Sequence, residues 1–470
     1  MAALTFFCLA ALAQGGRGQA GGGNPTSELY AQFCAGCHGP TLRGGAATSL
    51  VDDEWKHASD DAGLAKVITA GLPGTPMQPF KDLLDDQQIR QLVFYIRQQG
   101  AAAKAKPELQ VDPDGQVLKS GRQSVKLEVV VGGLETPWGI GFLPDGRMLV
   151  TERPGRLRIV EKGQLQPPVT GTPVVWNRQD GGLLDLEVHP DYGSNEWIYL
   201  AYSEGGTDGT TSMTAIVRGR IKNNAWTDEQ VIYKATADLF YAENSHYGVR
   251  FLFDRQGHLF YTIGDRGHAA EAQDLTKPTG KIHRVNDDGS IPKDNPFVGK
   301  PGVVQSIWSF GHRHPQGLAF DPVTGDLWAT EHGPMGGDEL NRIERGANYG
   351  WPVVSNGLEP GITKSEAEGM VSPAAYWNPA IGPAGIAFAG RRYPGWANQL
   401  LIAALAGQQL RRVEIAGTRV ASQEVVFNQF GRVRDVVTGP DGYLYVAINL
   451  PGKRLSDTTA GVIVRLLPVD

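Results

Sequence analysis

The sequence has no apolar run long enough to cross a bilayer, which excludes a helical membrane span. It has no basic excess: 44 Lys and Arg stand against 50 Asp and Glu, a net charge of −6, so nothing marks a nucleic-acid surface. Cysteine is scarce. Of three, Cys8 lies in an apolar leader, which leaves Cys34 and Cys37. No second cysteine pair accompanies them to complete a zinc site, and no thioredoxin-like βαβ pattern surrounds them. Glycine and proline are abundant instead, at 61 and 30 residues, a turn-rich composition that favours β architecture over helix bundles. At 470 residues the chain exceeds one ordinary core and implies two or three domains.

Cys34-Ala35-Gly36-Cys37-His38 is the C-x-x-C-H pattern of covalent heme attachment. The spacing suits the chemistry: two thiols on one helical turn reach the two vinyl groups of a heme, and the adjacent imidazole ligates iron. Asn24-Pro25 reads as the N-cap and first-turn proline of a helix ending at the motif. Asp85-x-x-Gln88 reads as a capping box opening an amphipathic helix with Ile89, Leu92, Val93 and Ile96 on one face. Between them, Met77 stands in a Pro-rich loop, where its thioether is a candidate sixth iron ligand. Residues 24–100 therefore resemble a class I cytochrome c domain, with His38 and Met77 on the heme iron. Ahead of it, residues 2–13 are small and apolar and close on Ala11-Leu12-Ala13, the form of a cleavage site. Residues 1–23 are thus expected to be a signal peptide and Gly-rich linker, and the protein to be periplasmic or secreted. Residues 101–122 read as a second linker.

Residues 123–470 repeat one unit: an apolar run, a turn of Pro, Asp and Gly, then a second β-rich run. Copies begin near 141, 188, 251, 318, 385 and 436. Six copies at irregular spacing fit the blades of a six-bladed β-propeller. An array of β-sandwiches is the alternative, but it leaves more sheet edges to protect. The expected fold is therefore an all-β six-bladed β-propeller preceded by a small all-α cytochrome c domain.

Four loops carry candidate chemistry. His246 in Asn244-Ser245-His246 and Asp265 in Ile263-Gly264-Asp265-Arg266-Gly267 suit a general-base pair, although His246 alone also reads as a hydrogen-bonded structural residue. Gly311-His312-Arg313-His314-Pro315-Gln316-Gly317 gathers a cation, two imidazoles and an amide. Glu331-His332-Gly333-Pro334, followed by Asp338 and Glu339, offers carbonyls and acids to a hard cation such as Ca²⁺, or is an ordinary turn. Arg432 and Arg434 share one face of a strand and suit a ligand with several carboxylates, or form surface ion pairs.

Together these motifs, with Gly280-Lys281-Ile282, Asn348-Tyr349-Gly350-Trp351-Pro352 and Arg432-Val433-Arg434-Asp435, resemble the soluble PQQ-dependent aldose sugar dehydrogenases, the glucose/sorbosone dehydrogenase group. The resemblance covers about residues 125–468. It implies PQQ and Ca²⁺ as cofactors beside the covalent heme c. His246 would be the base at the sugar's anomeric hydroxyl, with Asp265 supporting it. Arg313 would lie beside the quinone oxygen. Gln316, Arg432 and Arg434 would contact PQQ. The carbonyls of Gly333 and Pro334 would bind calcium, and Trp377 and Asp180 would shape the sugar side. The sequence departs from the family pattern in four places. His314 replaces an Asn, Asp180 replaces a Gln, no lysine stands near Leu405, and Asn449-Leu450-Pro451-Gly452 is not the usual acidic loop.

The implied activity is oxidation of an aldose to its lactone, with electrons passed through the heme to an external acceptor: a cytochrome, a copper protein or a quinone. Three rival readings stand beside it. One is oxidation of another alcohol or polyol, one is a lactonase-like metal hydrolase, and one is a non-catalytic binding propeller. A hydrolase has no use for a fused heme.

Overall fold

The computed structural model describes residues 25–51, 55–103, 112–359, 361–450 and 460–469. The expected leader, Asn24 and residues 104–111 of the second linker lie outside the described residues. The chain divides into two compact units, Met1–Ala103 and Lys104–Asp470.

The first unit is helical: α1 Pro25–Phe33, α2 Ala35–His38, α3 Asp61–Ala70 and α4 Asp86–Ala103. The capping box forms, with the Asp85 N–H donating to Gln88 Oε1 at 3.0 Å and the Gln88 N–H to Asp85 Oδ1 at 2.8 Å. It fixes the start of α4, whose buried stripe of Ile89, Leu92, Val93 and Ile96 packs with Tyr30 of α1 and Leu64 of α3. Helix α4 continues to Ala103, into the stretch read as linker, because the alanines at its end are good helix formers.

The second unit is a ring of six antiparallel sheets. The inner strands are Pro137–Phe142, Leu183–Val188, Phe251–Phe253, Pro315–Phe320, Pro383–Phe388 and Arg432–Thr438, for blades 1 to 6 in turn. Each repeat seen in the sequence is the hairpin between a blade's inner strand and its second strand. One turn chemistry recurs. Asp145, Asp254, Asp321 and Asp441 each accept a backbone N–H two residues on through Oδ1. The glycines that follow, such as Gly146 and Gly257, take positive φ. Blade 6 joins Gln123–Glu135 to Ala460–Val469, so the ring is closed by strands far apart in sequence. Val117–Ser120 is a further strand of this blade, within residues 101–122. The linker reading fails there because Leu118 packs against the blade 6 core.

Three residues before the end of each inner strand lie Gly139, Asp185, Arg250, Gly317, Gly385 and Asp435. Arg250 Nη1 lies 2.9 Å from Asp185 Oδ1 and 3.0 Å from Asp435 Oδ1. Its Nε donates to the Gln316 carbonyl at 3.0 Å. Both carboxylates also accept from neighbouring blades, Asp185 from the Phe251 N–H and Asp435 from the Ile140 N–H. A Cβ on Gly385 would strike Asp435 Oδ1, and one on Gly139 would lie 2.8 Å from Asp185 Oδ1. The glycines thus make room for a charged plug across the channel. Burial pushes both carboxyls up and Arg250 pulls them back down.

Above the plug, five of the six inner strands slip by a residue at one level, for example between Pro315 and Gly317 and between Val433 and Asp435. Such bulges bend a strand and re-aim the side chains beside it. Gln316 and Arg434 sit inside two of them.

Arg250→Met leaves two buried carboxylates without a counter-charge and should cost about 3–5 kcal/mol in urea unfolding followed by tryptophan fluorescence. The loss should be larger at pH 8 than at pH 5, because a raised carboxyl favours the fold only while it stays protonated. An unchanged midpoint would remove the plug from the stability of the ring.

Candidate active site

The site lies on the face of the ring where inner strands begin and second strands end. His246 is on the loop entering blade 3 and has φ 54°, in the left-handed region, an arrangement that costs of order 1–3 kcal/mol in a non-glycine residue. Arg266 holds that loop. Its Nη2 donates to the Glu243 carbonyl at 2.6 Å and its Nη1 to the Ser245 carbonyl, while its guanidinium lies 3.7 Å from the centre of the Tyr247 ring. Gly264, just beyond the second strand, faces the His246 carbonyl so closely that a Cβ has no room. That contact brings Asp265 to the imidazole: His246 Nδ1 is 2.7 Å from Asp265 Oδ1. Asp265 also accepts from Trp351 Nε1 at 2.8 Å and from the Gly267 N–H at 2.9 Å. Burial opposes its charge, yet the bond to His246 and its neighbours brings its carboxyl below the ordinary range. An ionised Asp265 assigns the proton to His246 Nδ1 and leaves Nε2 as a free base.

His314 stacks on His246, with ring centres 4.8 Å apart and planes at 27°. The Gln316 amide nitrogen is 2.6 Å from His314 Nε2, and its oxygen accepts from Arg434 Nη1 at 3.1 Å. The ring of His332 meets His314 edge-on at 5.0 Å. Burial and the surrounding positive groups hold both imidazoles uncharged, His314 well below its ordinary range and His332 down to about 3. Buried Glu331 fixes the two residues before His314, accepting the Arg313 N–H at 2.8 Å and lying 2.9 Å from His312 Nδ1.

The site carries an excess of buried cations. Burial, and after it the charges of Arg432, Arg153 and Arg250, lower Arg434 to about 9 against the opposing charge of Asp180. Arg432 and Arg313 are lowered by burial as well. The Nε atoms of Arg434 and Arg313 are buried without a hydrogen-bond partner. Uncompensated guanidiniums of this kind fit an anionic ligand with several carboxylates, as PQQ is. The calcium expectation fares differently. Arg313 Nη1 donates to the Gly333 carbonyl at 2.8 Å, so one of the two carbonyls expected to bind the ion already has a cationic partner. Among the described residues no three His, Cys, Asp or Glu side chains converge on a metal position either. As arranged, Arg313 would have to leave the Gly333 carbonyl before an ion could bind there.

His246, Asp265, Arg313, Gln316, Arg432 and Arg434 are thus gathered on one face, and contacts through His314 link His246 and Asp265 to Gln316 and Arg434. Asp180 joins them at the rim, accepting the His246 N–H at 3.3 Å. Trp377 does not join them, which corrects the expectation that it borders the sugar side. It lies on the outer strand of blade 4, buried with Trp328, Leu340 and Ile381, and its Nε1 donates to Gln423 of blade 5 at 2.9 Å. Arg153, Arg266 and Trp351 received no role from the sequence. Arg266 and Trp351 lie inside quoted motifs; Arg153 follows the blade 1 strand that ends at Glu152.

In the helical unit, Cys34 and Cys37 are unbridged. Burial and the neighbouring Cys37 push the Cys34 thiol up to about 11. His38 Nδ1 is 2.9 Å from the Thr48 carbonyl, which turns Nε2 outward as a ligand nitrogen. Met77 packs against the same core as Cys34 and Ala35. These donors fit a heme.

A family model for glucose/sorbosone dehydrogenase matches residues 134–456, and the chain belongs to that family. A model described as cytochrome c oxidase, cbb3-type, subunit III, matches residues 24–96, which form a cytochrome c domain. The aldose sugar dehydrogenase YliI of Escherichia coli is 38% identical over 357 residues, covering 73% of this chain and 93% of that protein. The soluble aldose sugar dehydrogenase structure from Escherichia coli, in its apo-form, aligns with a TM-score of 0.68 at 37% identity, over 73% of this chain and 100% of that one. The PQQ-bound aldose sugar dehydrogenase of Streptomyces coelicolor aligns at 0.59 and 28% identity, over 74% and 100%.

Gly264→Ala should push the His246 loop away and cost about 1–3 kcal/mol of stability, the range for overpacking. The low-field N–H proton resonance of the His246–Asp265 bond should disappear with it. A variant with unchanged stability and that resonance intact would show that the close approach is not what sets the pair.

Proposed function

We propose that this protein is an exported quinohemoprotein that oxidises aldose sugars at C1 to the lactone and passes the electrons to its own cytochrome domain. The observation that carries the reading is the His246–Asp265 pair at 2.7 Å, set beside a buried and uncompensated group of arginines. PQQ, when bound, supplies the two-electron acceptor for the hydrogen at C1. Arg432, Arg434 and Gln316 would hold it, and Arg313 would face its quinone oxygen.

The chain's own residues do the rest. His246 Nε2 takes the proton of the anomeric hydroxyl. Asp265 keeps the imidazole in the right tautomer and stabilises the cation that forms. Trp351 and Gly267 fix Asp265, and Arg266 fixes the His246 loop. His314 backs the imidazole as an uncharged ring, so it does not oppose the charge gained there. Two electrons leave the sugar in each turnover. The cytochrome domain is the proposed next carrier, with heme joined to Cys34 and Cys37 and ligated by His38 and Met77. An external cytochrome, copper protein or quinone completes the path. The apolar leader at residues 2–13 supports export to the periplasm or beyond.

His246→Ala should slow sugar-driven reduction of the heme by about 10²- to 10⁴-fold while the protein stays folded. Full activity in that variant would remove His246 as the base. Met77→Ala should lower the heme midpoint potential, since thioether ligation raises it. Redox titration of the folded variant checks this, and an unmoved potential would take Met77 off the iron.

A further inference from the structure

On the site face, the residue or two beyond each blade's second strand occupy equivalent places. Blade 3 puts Asp265 there and blade 4 His332, both in the site. Blade 5 puts Leu405 there, and no cation follows it through Gln409. Blade 1 puts Arg153 there. Blade 1 is the neighbour of blade 6, whose inner strand carries Arg432 and Arg434.

We infer that Arg153 is a third anion-binding residue of the cofactor seat, completing with Arg432 and Arg434 a cradle of three guanidiniums for the carboxylates of PQQ. The inference rests on the proposed function, which makes PQQ the ligand.

Arg153 is held in place by its backbone. Its N–H donates to the Thr136 carbonyl at 3.1 Å, and its carbonyl accepts the Leu183 N–H at 2.9 Å. Gly182 passes so close to that carbonyl that no side chain fits there. The guanidinium reaches the Gln179 carbonyl with Nη1 at 3.0 Å. Its charge is felt by both blade 6 arginines, and Asp180 is the acid that offsets all three. Guanidinium forks match carboxylates in shape as well as charge. Two cations come from one strand and the third from the next blade, so the three converge from two directions.

Titration of the apo-propeller in the full chain, followed by tryptophan quenching, tests this with two probes: PQQ and its uncharged trimethyl ester. Arg153→Ala should weaken PQQ binding about 10- to 100-fold, the range for losing one charge-assisted hydrogen bond. Ester binding should stay within about twofold, and Arg153→Lys should recover most of the PQQ affinity. If the alanine variant does not fold, Arg153→Gln keeps a donor for the Gln179 carbonyl and gives the same comparison. A loss shared equally by both probes, with a lowered unfolding midpoint, would make Arg153 a prop for residues 179–182 and overturn the inference. So would unchanged PQQ affinity. Wild-type protein that binds neither probe would overturn the cofactor assignment itself, and this inference with it.

Discussion

The ion pairs of Arg250 with Asp185 and Asp435 are the interaction on which the rest of the propeller depends. One guanidinium from blade 3 holds carboxylates from blades 2 and 6, and those carboxylates bond the backbones of blades 3 and 1. Buried charges are expensive unless paired and hydrogen-bonded, and here each carboxylate has both kinds of partner. The glycines at the same level in blades 1, 4 and 5 leave the space that the plug occupies. Because the plug spans the channel, it sets the level at which the inner strands break from their ladders, and with it the floor of the site.

The plug and the site are joined. Arg250 bonds the Gln316 backbone, while the Gln316 side chain reaches His314 and Arg434. His314 in turn lies against His246. A path of contacts therefore runs from the channel centre to the proposed base. Along it the ionisation states differ sharply: arginines charged, His314 and His332 neutral, Asp265 ionised. Burial alone would discharge most of these groups. Asp265 keeps its charge because specific donors surround it, and the imidazoles lose theirs to burial first, with the nearby cations adding to it.

Much of this was legible in the chain. The six hairpins could be read because an Asp–Gly turn between β-rich runs is a local signal, and His246 and Asp265 could be read from short motifs. The heme motif and the capping box of Asp85 and Gln88 are local too. What could not be read depends on contacts between distant segments. Arg153 is an unremarked residue after a strand until blade 1 is laid beside blade 6. The family resemblance put Trp377 on the sugar side, but pairing of its strand with Asp338–Ile343 turns the ring into the blade core. The strand at Val117–Ser120 was hidden because what secures it is Leu118 packing on a blade 6 core built largely from the far end of the chain.

The joining of Gln123–Glu135 to Ala460–Val469 has a consequence for the order of assembly. Glu128 and Arg465, bonded across this pair, are 337 residues apart in sequence. Contacts of such separation carry a large loop-closure entropy and form late. Blades 1 to 5 each consist of consecutive strands and can pair as they emerge, but the circle can shut only after nearly the whole chain has been made. The helical unit, built from local contacts within the first hundred residues, has no such wait. A protein synthesised from its N-terminus would therefore have a folded helical unit well before it had a closed ring.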